Sequence, residues 1–381
     1  MTVSRTTRAT LAAPLLLALP LTVTACADKD DAAAAYTVTA TDESCDVDSY
    51  DGSTGNNSFD ISNNGSKTTE FYVYTDGGRV LGEVENIGPG AARTLHVEFP
   101  ESGTYRVTCK PGMVGEGVSH DFTVSGDAVS VAEGDDQLAA AVDGYLRYVR
   151  SQTTALQEAV ATFADAVDDG DVEEAKNLFA RTRTYYERIE PIAESFPDDL
   201  DPRLDLREAD LEDGQEWTGF HAVEKQLWVD GEITDRTRAD AERLVSDIAE
   251  LVDGVAASDF SVQPVQIATG AQGLLDEIST SKITGEEDIF SHTDLWDFQA
   301  NLEGSRAAVA SLEEVLDDRD ADLLREINTS FDDVEKQLDA FREGDGFVSY
   351  DTVPDSDRKA LAGGIDRLTE NVSKVAGVIA Q

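Results

Sequence analysis

Positive charge is scarce in this chain. Against 77 Asp plus Glu there are only 30 Lys plus Arg in 381 residues, a formal net charge of −47 at pH 7. Phosphate backbones repel such a surface, so nucleic acid is excluded as a partner. Sulfur and imidazole are as sparse, with 3 Cys, 2 Met and 4 His. A hydrolytic zinc motif of the HExxH or HxxEH kind needs a second histidine beside the first pair, and none stands at that spacing. Long apolar runs are missing beyond Leu11–Val23, and no other segment approaches the ~18 apolar residues that span a bilayer.

That first run has the form of an export signal: Arg5 and Arg8, an apolar stretch, then small residues up to Cys26. The sequence Leu21-Thr-Val-Thr-Ala-Cys26 resembles the lipobox of bacterial lipoproteins, whose cysteine is acylated and becomes the mature N-terminus. The expected product is an extracytoplasmic protein, in the periplasm or at the cell surface, anchored to the cell membrane through lipidated Cys26. Its acids are dispersed (Asp165, Asp168, Asp169, Asp171, Glu173, Glu174; Asp317, Asp318, Asp320, Asp322) and read as solvated helix faces. Such a field keeps a protein soluble and concentrates cations, so a cation ligand is permitted.

The hydrophobic period changes along the chain. From Tyr36 to Val124 it is two, as in Phe71-Tyr-Val73-Tyr and Tyr105-Arg-Val107-Thr-Cys109, punctuated by turns such as Asn63-Asn64-Gly65. About ninety residues of short, regularly spaced strands predict a small β-sandwich. Small and acidic residues at 126–136 read as a linker. Beyond Gln137 the period is helical, with Leu361, Ile365, Leu368, Val372, Val375 and Ile379 forming one stripe. Helices are predicted at about 137–168, 171–195, 214–229, 234–257, 260–281, 293–317, 319–342 and 355–380, an all-α bundle of two four-helix halves. The expected organisation is therefore a signal over 1–25, a lipidated tether over 26–35, a sandwich over 36–125, the linker, and a helical domain over 137–381.

Within the helical part, Trp217–Trp228 reads WTGFHAVEKQLW and sets His221 and Glu224 three residues apart. That spacing puts imidazole and carboxylate on one helical face, as in bundles where Glu-x-x-His pairs hold iron or manganese. Upstream, Glu187 and Glu190 repeat the geometry, and an acidic connection, DDLDPRLDLREAD, lies between. Three acids and one imidazole from two antiparallel helices and their connection, Asp205 among them, could converge on one cation; oxygen and nitrogen donors suit iron, manganese or zinc better than copper(I). In so acidic a chain a solvated surface is the plainer alternative. His292 likewise reads as a capping or core histidine, with Thr293 starting a helix, or as a residue just behind the ligands or along an ion conduit.

WTGFHAVEKQLW resembles the GxHxxE segment of the imelysin family, and the likeness extends to YYERIEPIAESF, DPRLDLREAD, GLLDEISTSKITGEED and FSHTDLWDFQANLEG. Together with a sandwich similar to a cupredoxin-like domain, it covers the mature chain in the manner of EfeO-type iron-uptake proteins. The resemblance implies a metal site at Glu187, Glu190, Asp205 and His221, with Glu224 completing the motif. It implies iron, ferrous or ferric, as the ion, with copper and zinc as alternatives. It also implies delivery to a membrane iron permease, often beside a haem-dependent peroxidase. The competing function is an imelysin-type metallopeptidase, but Lys225 stands where an inverted zinc motif would place its second histidine.

In the sandwich, Cys109, Met113, His120 and His96 fall short of a blue-copper set, because no histidine follows the Asn63-Asn64-Gly65 turn or lies between Cys109 and Met113. Cys45 and Cys109 remain. Outside the cytoplasm such a pair reads first as a disulfide. The resemblance implies a second metal site on Cys45, Cys109 and Glu70, although an acid the family carries is Thr104 here. The two uses of the thiols are mutually exclusive.

Overall fold

The computed structural model describes residues 1–2, 34–197, 200–212, 214–258 and 260–381. The export signal and Cys26 lie outside them. Among the described residues no helix is long and apolar enough to cross a membrane.

The period-two region folds into β1 (Ala34–Ala40), β2 (Cys45–Val47), β3 (Asp51–Ser53), β4 (Gly55–Asn63), β5 (Thr69–Tyr74), β6 (Val80–Ile87), β7 (Ala92–Phe99), β8 (Gly103–Pro111) and β9 (Val118–Ser125). One sheet runs β2-β1-β4-β7 and the other β3-β9-β8-β5-β6. Parallel pairing of β1 with β4 sets Tyr36 opposite Phe59 and Val38 opposite Ile61, so alternate residues fill one inner face. Phe59, Phe71, Phe99 and Phe122 meet there, with Phe59 and Phe71 centroids 5.3 Å apart.

Cys45 of the first sheet and Cys109 of the second are joined by a disulfide in this core. That takes both thiolates away from any metal. Glu70 cannot join them either: Phe71, opposite Cys109, points into the core, and strand alternation turns Glu70 to the other face. There the Tyr72 hydroxyl lies 3.1 Å from Glu70 and 2.9 Å from Glu85. A phenol has one proton to donate, so two such contacts are satisfied only when one carboxyl is itself protonated. Burial and the charge of Glu85 push Glu70 up to about 8. Replacing Cys45 and Cys109 together by alanine is expected to cost about 2–4 kcal/mol of stability, to be read from urea unfolding curves.

The helical region comprises α1 (Asp136–Asp168), α2 (Val172–Glu187), α3 (Glu190–Glu194), α4 (Leu200–Asp205), α5 (Gly219–Lys225), α6 (Asp235–Ala256), α7 (Pro264–Thr280), α8 (Asp294–Ser311), α9 (Glu313–Leu338), α10 (Asp355–Val372) and α11 (Val375–Ile379). α1, α2, α5 and α6 pack as one group and α7 to α10 as another, with α2 against α8 joining them around one apolar core.

Several expected helices are interrupted. The helix expected over 171–195 breaks at Ile189 (φ −133°, ψ 14°), and α3 restarts with Pro191 in its first turn, where a missing N–H costs no helical bond. The helix expected over 214–229 begins only at Gly219, after extended Thr218, and ends in a π-helical turn over Gln226–Asp230. The 355–380 stripe is two helices, and the helix expected over 293–317 breaks at Leu312, while the kink of α9 at Asp320 falls at the start of the helix expected over 319–342.

Sandwich and bundle touch directly. Val80 N donates to Ser195 O at 3.1 Å, and Asn56 Nδ2 to Ala380 O at 2.9 Å. The outer face of β6 therefore looks onto α3 and α7.

Candidate metal centre

Gly219 makes the site possible. Its φ of +86° favours glycine, and a Cβ there would sit 2.2 Å from Leu204 O. Glycine alone lets the start of α5 touch the end of α4. This close approach sets Asp205, the last residue of α4, beside His221, and Trp217 Nε1 fastens the joint by donating to Leu206 O at 2.7 Å.

The helical i, i+3 pair is made as the spacing predicts: His221 Nδ1 lies 3.1 Å from Glu224 Oε2. The other oxygen, Glu224 Oε1, accepts from Phe290 N at 3.1 Å and Ser291 N at 2.7 Å. Both side chains are buried. The ring is thereby fixed with Nε2 aimed at Asp205 Oδ1 and Glu287 Oε1, each 3.5 Å away, and Nε2 makes no hydrogen bond. Asp205, His221 and Glu287 each offer a ligand atom within 4.8 Å of the others, and so do Glu187, Glu190 and Asp205. Asp205 links the two sets, so Glu187, Glu190, Asp205 and His221 are brought together despite the break at Ile189.

Glu287, Asp288, Asp297 and Asn301 did not stand out in the sequence as site residues. Glu287 and Asp288 come from the turn after Lys282–Thr284; Asp297 and Asn301 come from α8. The available signal was in α8, where Asp294, Asp297, Asn301 and Ser305 recur at helical spacing among apolar residues and are all buried. Asn301 Nδ2 donates to Glu187 O at 2.8 Å and to Glu187 Oε2 at 3.0 Å.

Two cations were also missed. Arg183, fully buried, pairs with Glu187 and Asp205, with Glu287 at 2.9 Å, and with Asp297 and Asp288 at 3.4 and 3.5 Å. Its guanidinium lies 6.0 Å from the Phe179 ring centroid and 5.5 Å from that of Phe220. Lys282 Nζ lies 2.6 Å from Glu187, 2.9 Å from Glu190, 3.1 Å from Glu277 and 3.8 Å from Glu287. Carboxylates outnumber these cations, which is why several acids titrate abnormally. Burial and its acidic neighbours raise Glu190 well above the carboxylate range, and burial with Asp288 does the same to Asp297. Glu287 goes the other way: burial would raise it, but Lys282, His221 and Arg183 hold it well below. For His221, burial and Arg183 press downward, but Asp205, Glu224 and Glu287 outweigh them and hold it at about 10.

His292 lies just before α8, and its main chain ties the turn that precedes that helix. Its backbone is left-handed (φ 58°), its N–H donates to Asp288 O at 2.7 Å and its carbonyl accepts from Tyr350 N at 2.9 Å. It shapes the turn that carries Asp288. Thr293 makes no side-chain helix cap; its hydroxyl donates to Asp288. In the sandwich, His96 and His120 lie on different sheets, and His120 packs on Tyr50.

A cavity of about 150 Å³ adjoins the cluster, lined among others by Glu190, Asp205, Lys282 and Glu287, and also by Glu85, Glu194, Asp201 and Glu277. It connects the buried carboxylates with the seam between bundle and sandwich.

A sandwich followed by a bundle holding such a centre defines a class. The imelysin (peptidase M75) family model matches residues 141–375, a cupredoxin-like domain model matches residues 13–118, and the chain belongs to the imelysin family. Its arrangement is EfeO-type: the iron uptake system component EfeO of Escherichia coli (strain K12) is 38% identical over 348 residues, covering 90% of this chain and 90% of that protein. The EfeO of Shigella flexneri matches with the same identity and coverage. Among solved structures, a Parabacteroides distasonis protein described as an iron-regulated protein A precursor covers 65% of this chain and 95% of its own, at TM-score 0.46 and 18% identity.

Proposed function

We propose that this protein is an extracytoplasmic iron-binding lipoprotein that captures iron in the bundle and delivers it to a membrane iron permease. Kinship with iron uptake components supports a role in iron uptake. The observation that carries capture is the buried, unpartnered His221 Nε2 facing Asp205 and Glu287. A histidine whose other nitrogen is held by a carboxylate is the usual form of a metal-binding imidazole. In this reading Glu187, Glu190, Asp205, His221 and Glu287 hold the ion. Glu224 orients the ring, since both of its oxygens are already engaged.

The ion's chemistry follows from the donors. Four carboxylates and one imidazole suit ferrous or ferric iron, and manganese or zinc less specifically, but not copper(I). The permease, a haem-dependent peroxidase of the same uptake system and the Cys26 anchor belong to the proposal through the family resemblance. A metallopeptidase reading has no comparable support: Lys225, at the second histidine's position, pairs with Glu208 on the surface and lies over the Trp217 ring.

Equilibrium dialysis against iron tests the reading. His221→Ala and Glu187→Ala are each expected to weaken binding at least tenfold, and Glu224→Gln by about 10–100-fold through loss of ring orientation. Undiminished binding in both alanine variants dismisses this site.

A further inference from the structure

The ammonium of Lys282 stands where cargo would stand. It contacts Glu187 Oε2, Glu190 Oε2 and Glu277 Oε2 within 3.1 Å, and Glu287 Oε1 at 3.8 Å. Of these four carboxylates, Glu187, Glu190 and Glu287 belong to the proposed iron shell. An ion bound by the same oxygens and the ammonium cannot occupy the space together.

We propose that Lys282 is a tethered surrogate cation, displaced when a multivalent metal ion enters and returning when the ion leaves, and that this exchange sets both affinity and selectivity. Lys282 can play that part only if the iron site proposed above is real.

The contrast with Arg183 shows which cation moves. Arg183 projects from the C-terminal half of α2, is held by carboxylates from four separate segments, and lies against two aromatic rings. A planar guanidinium bound by several acids is a fixed element. Lys282 instead starts a 3₁₀ turn that ends at left-handed Gly285, and its side chain lines the 150 Å³ cavity. A compact ammonium on a four-carbon stem can swing into that space, where Glu194 and Glu277 also line the wall and can receive it.

The exchange has a direct consequence for selectivity. Replacing an ammonium by Na⁺ or K⁺ adds no charge to the cluster, so the covalently tethered ion wins. A divalent or trivalent ion adds one or two charges to a group of acids in excess over their cations, and gains Coulomb energy over the lysine in a poorly solvated site. Lys282 thus keeps the carboxylates gathered, screens out monovalent ions, and lowers affinity to a level from which iron can be passed on.

The test is titration of the full chain and of Lys282→Gln with ferric nitrilotriacetate and, under argon, with ferrous iron. Lys282→Gln is expected to bind at least tenfold more tightly and to release iron more slowly to a chelator. Equal or weaker binding in Lys282→Gln beside normal wild-type binding overturns the surrogate and leaves the iron site standing. Absence of iron binding by the wild type, or binding indifferent to His221→Ala, overturns the site itself and the inference with it. A second measurement needs no variant. Acylation of Lys282 by a small anhydride, read by peptide mass spectrometry, is expected to be several-fold faster in iron-loaded protein, because the amine has left its carboxylates. Equal or slower labelling contradicts displacement.

Discussion

Replacing Arg183 by leucine is expected to destabilise the protein by about 3–5 kcal/mol, the range for removing one partner of a buried ion pair. The mechanism is specific. Leucine keeps an apolar side chain near Phe179 and Phe220 but carries no charge. It leaves Glu187, Asp205, Asp288 and Asp297 facing one another with their shared counter-charge removed. Protonation can partly restore the balance, so the variant should recover stability as pH falls, more steeply than wild type. A surface pair gives the contrast: Arg325 and Asp322 are 67% and 82% exposed, and Arg325→Ala should change stability by less than about 0.5 kcal/mol. Urea unfolding at pH 7 measures both. Equal, small effects would show that the bundle tolerates an uncompensated acidic centre.

The second large effect is loss of stability toward alkaline pH. Glu70, buried beside Glu85, is raised from 4.5 to about 8, and Asp201, pushed up by burial and the charge of Asp205 against the lowering hydrogen bond from Tyr186, from 3.8 to about 7. A carboxyl whose folded pKa lies above its unfolded value binds more protons when folded. Its contribution is therefore complete below the unfolded pKa and is lost as pH rises through the folded one. His221, raised from 6.5 to about 10, acts in the same direction over its own window. Glu70 opposes stability as pH rises from about 4.5 to 8, Asp201 from about 3.8 to 7 and His221 from about 6.5 to 10. The melting temperature should accordingly be higher at pH 5.5 than at pH 8.5. Glu70→Gln, which keeps the contact with Tyr72 without the ionisation, should flatten that profile. A profile of unchanged steepness in Glu70→Gln would remove the sandwich carboxyl from this account.

What the sequence discloses and what it hides follow the range of the forces involved. Strand alternation and the helical stripe are local, so the sandwich and the bundle are both legible, as is the His221–Glu224 pair, whose geometry depends on one turn of helix. Glu187 and Glu190 were legible for a partly different reason from the one that places them. A continuous helix would align them, but the chain breaks at Ile189, and Asn301 and Lys282 from other elements draw both carboxylates together. Asp205 was legible as one acid of the connection DDLDPRLDLREAD and was singled out by the family resemblance; the short α4 around Pro202 that carries it was not. Arg183 meets Glu187 one helical turn away, but its contacts with Asp205 and Glu287 span 22 and 104 residues, Lys282 reaches Glu187 across 95, and no local pattern marks Lys282 or Glu287. Glu70 was drawn toward the cysteines by likeness alone; strand alternation, a local rule, already separates it from Cys109 by one residue and hence by a whole face of the sheet.

The central claim is that iron is held at the junction of α2, α4, α5 and the turn before α8. Anomalous diffraction at the iron absorption edge, from crystals of the full chain loaded with iron, tests it most directly. Such crystals are expected to give a single strong peak bounded by His221 Nε2, Asp205, Glu287, Glu187 and Glu190, with the Lys282 ammonium displaced toward the cavity. A peak in the sandwich or on the acidic surface, with His221 and Asp205 uncoordinated, would contradict it.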